Sequence, residues 1–262
     1  MSYIVLKDKL YEELSGEIKN LKIKKVFLPN KYALTINTVY NDTKKKDLSW
    51  DYKEDAFTFI IKHEKLLNNC SRQFFLNDGP LAFLPINQNN TSLVWSLSKN
   101  SEMRKIVNSK LSLEKYLNSN FLIYKNVKLN SKIESFSLKF NFLTCGIEPR
   151  KINIGDISHR IHPIAGQGWN MTVRDIKQLY DVYQNKKKYG YDFGDFSLLE
   201  EYEKKKKNNN FIFASSIDLI RRIFKFNNNQ ISNLRKSGFR QLDKFPDLKN
   251  EIIKFADEGL SF

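Results

Sequence analysis

The segment from Ile152 to Asp175 constrains the fold more than any other part of the chain. Its short apolar run, Ile152–Ile154, predicts a strand that ends at Gly155-Asp156, and after a loop Gly166-Gln167-Gly168 leads into a predicted helix. The free N–H groups and positive dipole end of such a helix favour an anion or a polar ring, and glycines let that ligand approach the backbone. Because Asp156 can accept hydrogen bonds from sugar-like hydroxyls, the segment predicts a site for a polar ligand.

This glycine pattern differs from the dinucleotide-binding fingerprint. Met171 stands where the third glycine would be, and the motif lies late in the chain instead of opening a strand-helix-strand unit. Spacing alone therefore leaves a second interpretation open, in which the glycines form a turn that merely begins a helix.

The other segments predict an α+β fold, with a mixed or antiparallel β-sheet followed by a helical tail. Apolar spacing predicts helices at 6–20, at 101–120 and from Gly166 onward, including 216–226, 230–240 and 247–257. Strands are predicted at 23–27, 32–36, 56–61 and 135–142, and a hairpin is predicted from 81–86 and 91–97. The predicted parts are an N-terminal helix (1–22), a β-sheet region (23–150), a strand-loop-helix (151–185) and C-terminal helices (186–262).

The ends and connections of these elements are predicted as well. The stripe of the first helix, Leu6, Leu10, Leu14, Ile18 and Leu21, predicts that it covers one face of the sheet together with the C-terminal helices. A polar connection is predicted through 41–51, and Lys- and Asn-rich joints between helices at 185–188, 204–210 and 227–229. Ser112 is predicted as an N-cap, and Cys145 as a buried small hydrophobe.

The charge balance of the chain limits its partners. Its 262 residues include 44 Lys and Arg against 29 Asp and Glu, a net charge of +15. The lysine runs look like solvated loops or helix ends outside any nucleic-acid-binding motif, so nucleic acid is not expected as a partner, whereas attraction to an anionic membrane surface is. No run is long and apolar enough to span a bilayer and no signal peptide is recognised, which predicts a cytoplasmic protein. Two distant cysteines and three histidines predict neither a disulfide framework nor a metal site.

The run His162–Asp175, preceded by Gly155–His159, resembles the second FAD motif of the flavin-dependent aromatic hydroxylases of ubiquinone biosynthesis, a family of class A flavoprotein monooxygenases. The hairpin of Gly79–Ile86 and Ser92–Ser96 is similar to the substrate-domain hairpin of the same family. The resemblance covers the C-terminal two thirds of such an enzyme. It implies a substrate-domain sheet, a partial FAD-binding region and a helical tail, which together form an incomplete flavoprotein hydroxylase fold.

The resemblance also implies roles for individual residues. Asp156 would bind the ribityl portion of FAD, and the loop with its helix would lie against the isoalloxazine ring. The implied cofactor-binding residues are Gly155, Asp156, Pro163, Gly166, Gln167, Gly168 and Asn170. Two departures are visible in this region, because Thr172 stands at a position that is usually glycine and Ile157-Ser158 replace a usual pair of alanines. The family's opening Gly-x-Gly-x-x-Gly unit and its other Gly-Asp motif are not recognised in this chain.

By this resemblance the chain is an FAD-dependent monooxygenase that hydroxylates an aromatic ring bearing a polyprenyl tail, with an electron donor that the sequence does not identify. The flavin carries the chemistry, so no side chain is nominated as an acid or base. Phe83 and Trp95 are candidate pocket walls, with core packing as the alternative, and loop-anchoring hydrogen bonds are expected from His159 and His162. Two other hypotheses stay open: a half-enzyme whose partner chain supplies the ADP-binding unit, and a non-catalytic binding module for prenylated ligands.

Overall fold

The computed structural model describes residues 5–21, 33–39, 48–225, 237–238 and 240–258. These residues group into two compact units, the first formed by Met1–Asn30 and Lys53–Ser137 and the second by Lys31–Tyr52 and Leu138–Phe262. The four-part division expected from the sequence stays a prediction, and the structure groups 31–52 and 138–150 with the later residues. Within the described ranges, no helix is long and apolar enough to cross a membrane.

Helices and sheets both contribute, which confirms the α+β class. The helices include α1 (Lys7–Lys19), α2 (Met103–Val107), α3 (Lys110–Asn120), α4 (Gly168–Lys187), α5 (Phe196–Lys225) and α6 (Pro246–Glu258), with short 3-10 turns at Gly155–Ile157 and Pro163–Ala165. The strands are β1 (Thr35–Asn37), β2 (Leu48–Lys62), β3 (Arg72–Leu76), β4 (Gly79–Pro85), β5 (Asn90–Ser98), β6 (Lys128–Leu129), β7 (Glu134–Phe142), β8 (Ile147–Glu148), β9 (Lys151–Asn153) and β10 (His159–Arg160).

The strands form two sheets. The larger has the order β10-β7-β2-β5-β4-β3, with β6 also paired to β2, and its ladders β2–β5, β4–β5 and β3–β4 are antiparallel. The smaller has the order β1-β9-β8, in which β1 and β9 are parallel. The predicted hairpin is confirmed as β4–β5, whose turn is held because Asn87 Oδ1 accepts the N–H groups of Asn89 and Asn90. Gly79 is required at the start of β4, since a Cβ there would lie 1.9 Å from the Ser96 carbonyl oxygen.

The core of the first unit is apolar and aromatic. Phe57, Phe59, Ile61, Leu81, Phe83, Leu93, Trp95 and Leu97 from the sheet pack with Val107, Leu113 and Leu117 from α2 and α3. The prediction that α1 covers the sheet is wrong for the described residues, because α1 buries none of its side chains and Leu14 and Ile18 remain 46% and 47% exposed. Helices α2 and α3 cover the sheet instead, because their apolar side chains belong to the same buried cluster as those of the strands.

Several predicted boundaries are wrong, and packing explains them. The polar connection through 41–51 ends early because β2 begins at Leu48, where Trp50 stacks on Phe140 with ring centroids 3.9 Å apart. The segment 101–120, predicted as one helix, forms the two helices α2 and α3. The N-cap of α3 is Ser109 and not Ser112, because the Ser109 side chain accepts a hydrogen bond from the Ser112 N–H. The prediction that Cys145 is buried is wrong, because it lies exposed in the connection between β7 and β8.

The joint predicted at 204–210 is also wrong. These residues lie inside the single helix α5, and two of them, Lys206 and Asn210, are buried. The predicted helices at 6–20 and 247–257 are confirmed as α1 and α6, and the strand predicted at 32–36 is observed only in its last two residues, which belong to β1. The predictions for 23–27, 227–229 and nearly all of 230–240 fall outside the described residues.

Candidate functional site

The first part of the candidate site is the turn that follows β9. Gly155 adopts a positive φ of 82°, which a glycine tolerates and most residues do not, and the chain then forms the 3-10 turn Gly155–Ile157. Gly155 and Ile157 are buried, whereas Asp156 between them is exposed. Its carboxylate makes no hydrogen bond or ion pair with the rest of the described chain. Asp156 is therefore positioned by a buried turn and available to accept hydrogen bonds from a ligand.

The second part is the loop that leads into α4. The 3-10 turn Pro163–Ala165 ends at Gly166, whose positive φ of 63° reverses the chain before Gln167, the N-cap of α4. A Cβ at Gly166 or Gly168 would meet no atom within 4 Å, so both glycines border open space. The Gln167 side chain does not cap the helix; its Oε1 accepts a hydrogen bond from Asn170 Nδ2 at 2.9 Å. The first N–H groups of α4 thus lack a capping side chain from Gln167 and can serve a ligand.

The structure brings these two parts together. A Cβ built on Gly155 would lie 3.6 Å from Thr172 Cγ2 and 3.7 Å from Thr172 Oγ1, so the turn lies against the second turn of α4. Thr172, which departs from the family pattern, is accommodated at ordinary contact distance, and its hydroxyl reaches the Gly168 carbonyl at 3.4 Å. A carboxylate, two glycines and a helix start therefore belong to one region, and they suit a ligand with both hydroxyl groups and a polar ring.

A buried hydrogen-bonded chain fixes the strand that follows the turn. His159 Nε2 lies 2.8 Å from Asp175 Oδ2, and Asp175 Oδ1 accepts a hydrogen bond from Asn210 Nδ2 at 2.7 Å. The side chains of His159 and Asp175 are 1% and 2% exposed. The chain therefore ties β10 to α4 and α5 from inside the unit.

His162 anchors the loop more directly, as expected. It is fully buried, its Nδ1 accepts the N–H of Ile164 at 3.2 Å, and its ring meets Tyr52 edge-on with centroids 5.2 Å apart. Because the bond closes across Pro163, it sets the geometry of the 3-10 turn before Gly166. The sequence-based expectation of a loop-anchoring hydrogen bond is confirmed for this residue.

Sequence reasoning missed a second buried polar group, on α5. Lys206 Nζ lies 3.5 Å from Glu203 Oε2, 3.4 Å from the Asn153 carbonyl and 3.5 Å from Ser158 Oγ. Ser158 Oγ itself donates to the Asn153 carbonyl at 2.7 Å, and Glu203 Oε1 accepts the Gly146 N–H at 2.9 Å. Lys206 thus contacts the residues on both sides of the Gly155–Ile157 turn.

The burial of Lys206 and Glu203 could have been recognised from the helical spacing of apolar residues, which continues through the lysine run 204–207. Buried positions recur along α5 at Leu199, Tyr202, Lys206, Asn210, Phe213 and Ile217, with spacings of three or four residues. Burial raises the pKa of the Tyr202 phenol far above its ordinary range, and the nearby carboxylates of Asp175 and Glu203 act in the same direction. Tyr202 therefore stays neutral within this network.

Phe83 and Trp95, the candidate pocket walls, lie elsewhere. Both belong to the first unit and have 0% exposure. The Phe83 ring stacks on Tyr124 with centroids 4.8 Å apart, and Trp95 stacks on Tyr116 with centroids 5.5 Å apart. Each side chain is thus engaged in the apolar core of its own unit, and contact with a substrate stays a prediction.

Solved structures identify the class of fold. The chain is similar to PqsL from Pseudomonas aeruginosa, a probable FAD-dependent monooxygenase, with a TM-score of 0.60 and 16% identity over 74% of this chain and 56% of that one. It is also similar to p-nitrophenol 4-monooxygenase PnpA from Pseudomonas putida, with a TM-score of 0.62 and 14% identity over 82% of this chain and 54% of that one. At these identities the likeness shows a shared fold.

No protein-family model matches the chain. Individual proteins of similar sequence identify a more specific group of relatives than the fold does. The chain is 29% identical over 209 residues to 3-demethoxyubiquinol 3-hydroxylase of Escherichia coli, covering 79% of this chain and 53% of the relative. It is 31% identical over 212 residues to the mitochondrial ubiquinone biosynthesis monooxygenase COQ6 of Dictyostelium discoideum, covering 69% of this chain and 43% of the relative. The predicted resemblance to ubiquinone-biosynthesis hydroxylases is confirmed, and the chain spans about half the length of these relatives.

Proposed function

We propose that this chain is the part of an FAD-dependent monooxygenase that holds the flavin, and that the enzyme hydroxylates the aromatic ring of a prenylated ubiquinone precursor. The observation that carries the proposal is the exposed Asp156 carboxylate on a buried turn, set against the glycine-bordered start of α4. The sequence relatives named above are hydroxylases and monooxygenases of this pathway, and they support the substrate class.

The residues of the site fit such a cofactor. Asp156 would accept hydrogen bonds from ribityl hydroxyls, since its carboxylate is exposed and the turn beneath it is fixed. The open space beside Gly166 and Gly168 would admit a planar ring close to the backbone, where side chains would obstruct it. Gly155 and Pro163 would shape the two turns, and Gln167 and Asn170 would present amide groups at the rim.

When bound, FAD supplies the activation of O2 for ring hydroxylation. The chain's contribution is to bind and orient, through Asp156 at the hydroxyl chain and through the N–H groups at the start of α4, where the helix dipole favours electron-rich atoms. His162 keeps the loop in place by its bond to the Ile164 N–H. No side chain of this site needs to donate or accept a proton for these tasks.

Titration of the purified chain with FAD, followed by flavin absorbance and fluorescence, tests the proposal. We expect Asp156→Ala to weaken FAD binding by about tenfold to a hundredfold, because hydrogen bonds to a charged group are worth about 1.5–3 kcal/mol each. Asp181→Ala, which removes an exposed carboxylate near the other end of α4, is the control and should leave the affinity unchanged. A wild-type chain that leaves the flavin signal unchanged, both alone and co-expressed with the remaining half of the Escherichia coli relative, would contradict the proposal.

A substrate with a polyprenyl tail resides in lipid, so the proposal includes peripheral contact with the cytoplasmic face of a membrane. The support is the net charge of +15, since each Lys or Arg near an anionic surface contributes about 1 kcal/mol. Co-sedimentation with vesicles of mixed phosphatidylserine and phosphatidylcholine should decrease steeply as salt is raised. Binding that is equally strong on neutral vesicles would argue against this part of the proposal.

A further inference from the structure

A buried lysine of α5 contacts the turn that carries Asp156. Lys206 is 4% exposed, and its Nζ lies 3.4 Å from the Asn153 carbonyl oxygen and 3.5 Å from Ser158 Oγ. Asn153 precedes the 3-10 turn Gly155–Ile157 and Ser158 follows it, so Asp156 lies between them in the chain. One ammonium group therefore bonds to both ends of the segment that presents the exposed carboxylate of the candidate site.

Ser158 connects the two ends of this segment as well. Its hydroxyl donates a hydrogen bond to the Asn153 carbonyl at 2.7 Å, and its backbone N–H donates to the Gly155 carbonyl at 2.8 Å. The Lys206 ammonium, the Ser158 hydroxyl and the Asn153 carbonyl thus lie within hydrogen-bonding distance of one another. Because hydrogen bonds fix direction as well as distance, the backbone on both sides of Asp156 is held in one geometry.

Glu203, one turn earlier on α5, fixes the lysine itself. Its Oε2 lies 3.5 Å from Lys206 Nζ, and its Oε1 accepts the N–H of Gly146 at 2.9 Å. A Cβ on Gly146 would lie 3.4 Å from the same Nζ, so the ammonium is packed closely against the backbone there. The position of the lysine is therefore determined by an ion pair and by packing, before any ligand binds.

Stability alone does not account for this buried pair. Transferring two charges out of water is costly, and apolar residues of similar volume in place of a buried ion pair often leave stability unchanged or higher. Such residues could not donate hydrogen bonds to the Asn153 carbonyl and the Ser158 hydroxyl. What the charged side chain adds is therefore direction at the turn, and the turn matters for the group that it carries, Asp156.

We propose that Lys206 is a positioning residue of the proposed flavin site. Through Asn153 and Ser158 it holds the turn in the geometry in which the Asp156 carboxylate accepts hydrogen bonds from ligand hydroxyls. A carboxylate on an unsupported turn would have to be ordered by the ligand, and that ordering would reduce the affinity. The inference rests on the proposed function, because it assigns a further residue to the same site.

Titration of the full chain with FAD, in the preparation in which the wild type binds flavin, tests the proposal. The main variant is Lys206→Met/Glu203→Gln, which removes both buried charges and keeps an amide oxygen for the Gly146 N–H. We expect its urea unfolding to remain close to that of wild type. Its FAD affinity should fall about fivefold, the equivalent of one hydrogen bond of about 1 kcal/mol. Lys205→Met, which removes an exposed lysine paired with Glu201, is the matched control and should change the affinity by less than about twofold.

The same substitutions in an Asp156→Ala chain show whether the effect passes through that carboxylate. Two residues that act as one unit give losses of affinity that do not add. We expect the loss caused by the main variant to fall below about twofold once the Asp156 carboxylate is absent. A lysine that only stabilises its unit would give the same loss in both backgrounds, and that result would overturn the inference.

Hydrogen exchange of the ligand-free chain measures the turn without flavin. The N–H of Ser158, bonded to the Gly155 carbonyl, should exchange at least about fivefold faster in the main variant than in Lys205→Met. Ser158→Ala keeps the ion pair and removes one contact of Lys206, so it should weaken FAD binding in the same direction. It replaces the main variant if circular dichroism shows that the main variant does not fold.

The remaining outcomes are decisive as well. Unchanged exchange at Ser158, or FAD affinity that stays at the wild-type value, would overturn the inference, and so would an equal loss of affinity in Lys205→Met. A wild-type chain that binds no flavin contradicts the proposed function instead. The exchange of the ligand-free chain then still decides whether Lys206 holds the turn.

Discussion

The interiors of the two units differ in what they bury. In the first unit, fully buried side chains such as Phe83 and Trp95 are mostly apolar and aromatic, and they pack by shape. In the second, a histidine–aspartate–asparagine chain and the Lys206–Glu203 pair lie inside, around the turn that presents Asp156. Apolar packing is non-directional, whereas hydrogen bonds fix angles as well as distances. The buried polar groups of the second unit therefore hold one backbone geometry around the turn, whereas the apolar core of the first unit stabilises its sheet.

The largest expected effect tests the packing side of this comparison. Phe83→Ala should lower the free energy of unfolding by about 4 kcal/mol, because it empties a site where three other aromatic rings, Phe74, Phe121 and Tyr124, meet. Urea unfolding followed by circular dichroism measures the change. Leu111→Ala on α3, at a side chain 79% exposed, is the control and should cost less than about 0.5 kcal/mol. A loss below about 1 kcal/mol for Phe83→Ala would mean that the ring is not a core element and would favour the pocket-wall interpretation.

The next effect tests the polar side. Lys206→Met should lower the free energy of unfolding by about 3 kcal/mol, because it leaves Glu203 buried without its ion-pair partner. Hydrogen exchange of the segment 153–160 should rise more than exchange elsewhere, since the Lys206 contacts to Asn153 and Ser158 are lost.

The adjacent residue provides a matched control for that variant. Lys205 bridges Glu201 at the surface with its side chain 50% exposed, so Lys205→Met should cost only a few tenths of a kcal/mol. If Lys206→Met and Lys205→Met lower the free energy of unfolding equally, the buried Lys206–Glu203 pair contributes no more than a surface ion pair. The contrast between the two units would then reduce to apolar packing alone.

Part of this architecture could be predicted because its signals are local. The alternation at 135–142 predicts the strand β7 correctly, but it does not predict the burial along it, since Phe136 is 53% exposed and Asn141 is buried. The turn at Gly155-Asp156 and the start of α4 were also predictable. Both need a positive φ, at Gly155 and at Gly166, and glycine is the residue type that adopts it freely. The contact between the Gly155 turn and Thr172 needed the structure, because it depends on how the turn packs against α4.

The rest depended on partners far away in the chain. Lys206 lies in a lysine- and asparagine-rich stretch whose composition indicates solvent, yet its partner carbonyl on Asn153 is 53 residues away. Asn210 is buried because it donates a hydrogen bond to Asp175, which lies on another helix, 35 residues earlier in the chain. A polar residue is buried only when a specific partner compensates its lost hydration, and sequence composition contains no record of that partner. The early start of β2 also depends on a distant residue, because Trp50 stacks on Phe140.

The smallest expected effect concerns Asp55, a polar exception inside the apolar first unit. Burial alone would raise the pKa of this carboxyl group, but hydrogen bonds from Ser137 and from Arg104, with Arg104 Nη1 at 2.8 Å, outweigh it and hold the pKa below its usual value. A pKa lowered in the folded state gives stability that is present above the unfolded pKa of about 3.9 and is lost as the pH falls through the folded pKa.

Asp55→Asn should therefore lower the free energy of unfolding by about 1–2 kcal/mol at pH 7. The difference from wild type should shrink below about pH 4, where the wild-type carboxylate also becomes neutral. Urea unfolding of both proteins at pH 7, 5 and 3 measures this convergence, with Glu102→Gln, an exposed carboxylate in the same unit, as a control that changes little at any pH. A difference that stays constant from pH 7 to pH 3 would show that Asp55 acts through its shape and hydrogen bonds and not through its charge. In that case the charge of Asp55 would contribute nothing to the stability of the first unit, and its polar contribution would come from hydrogen bonds that the amide can also make.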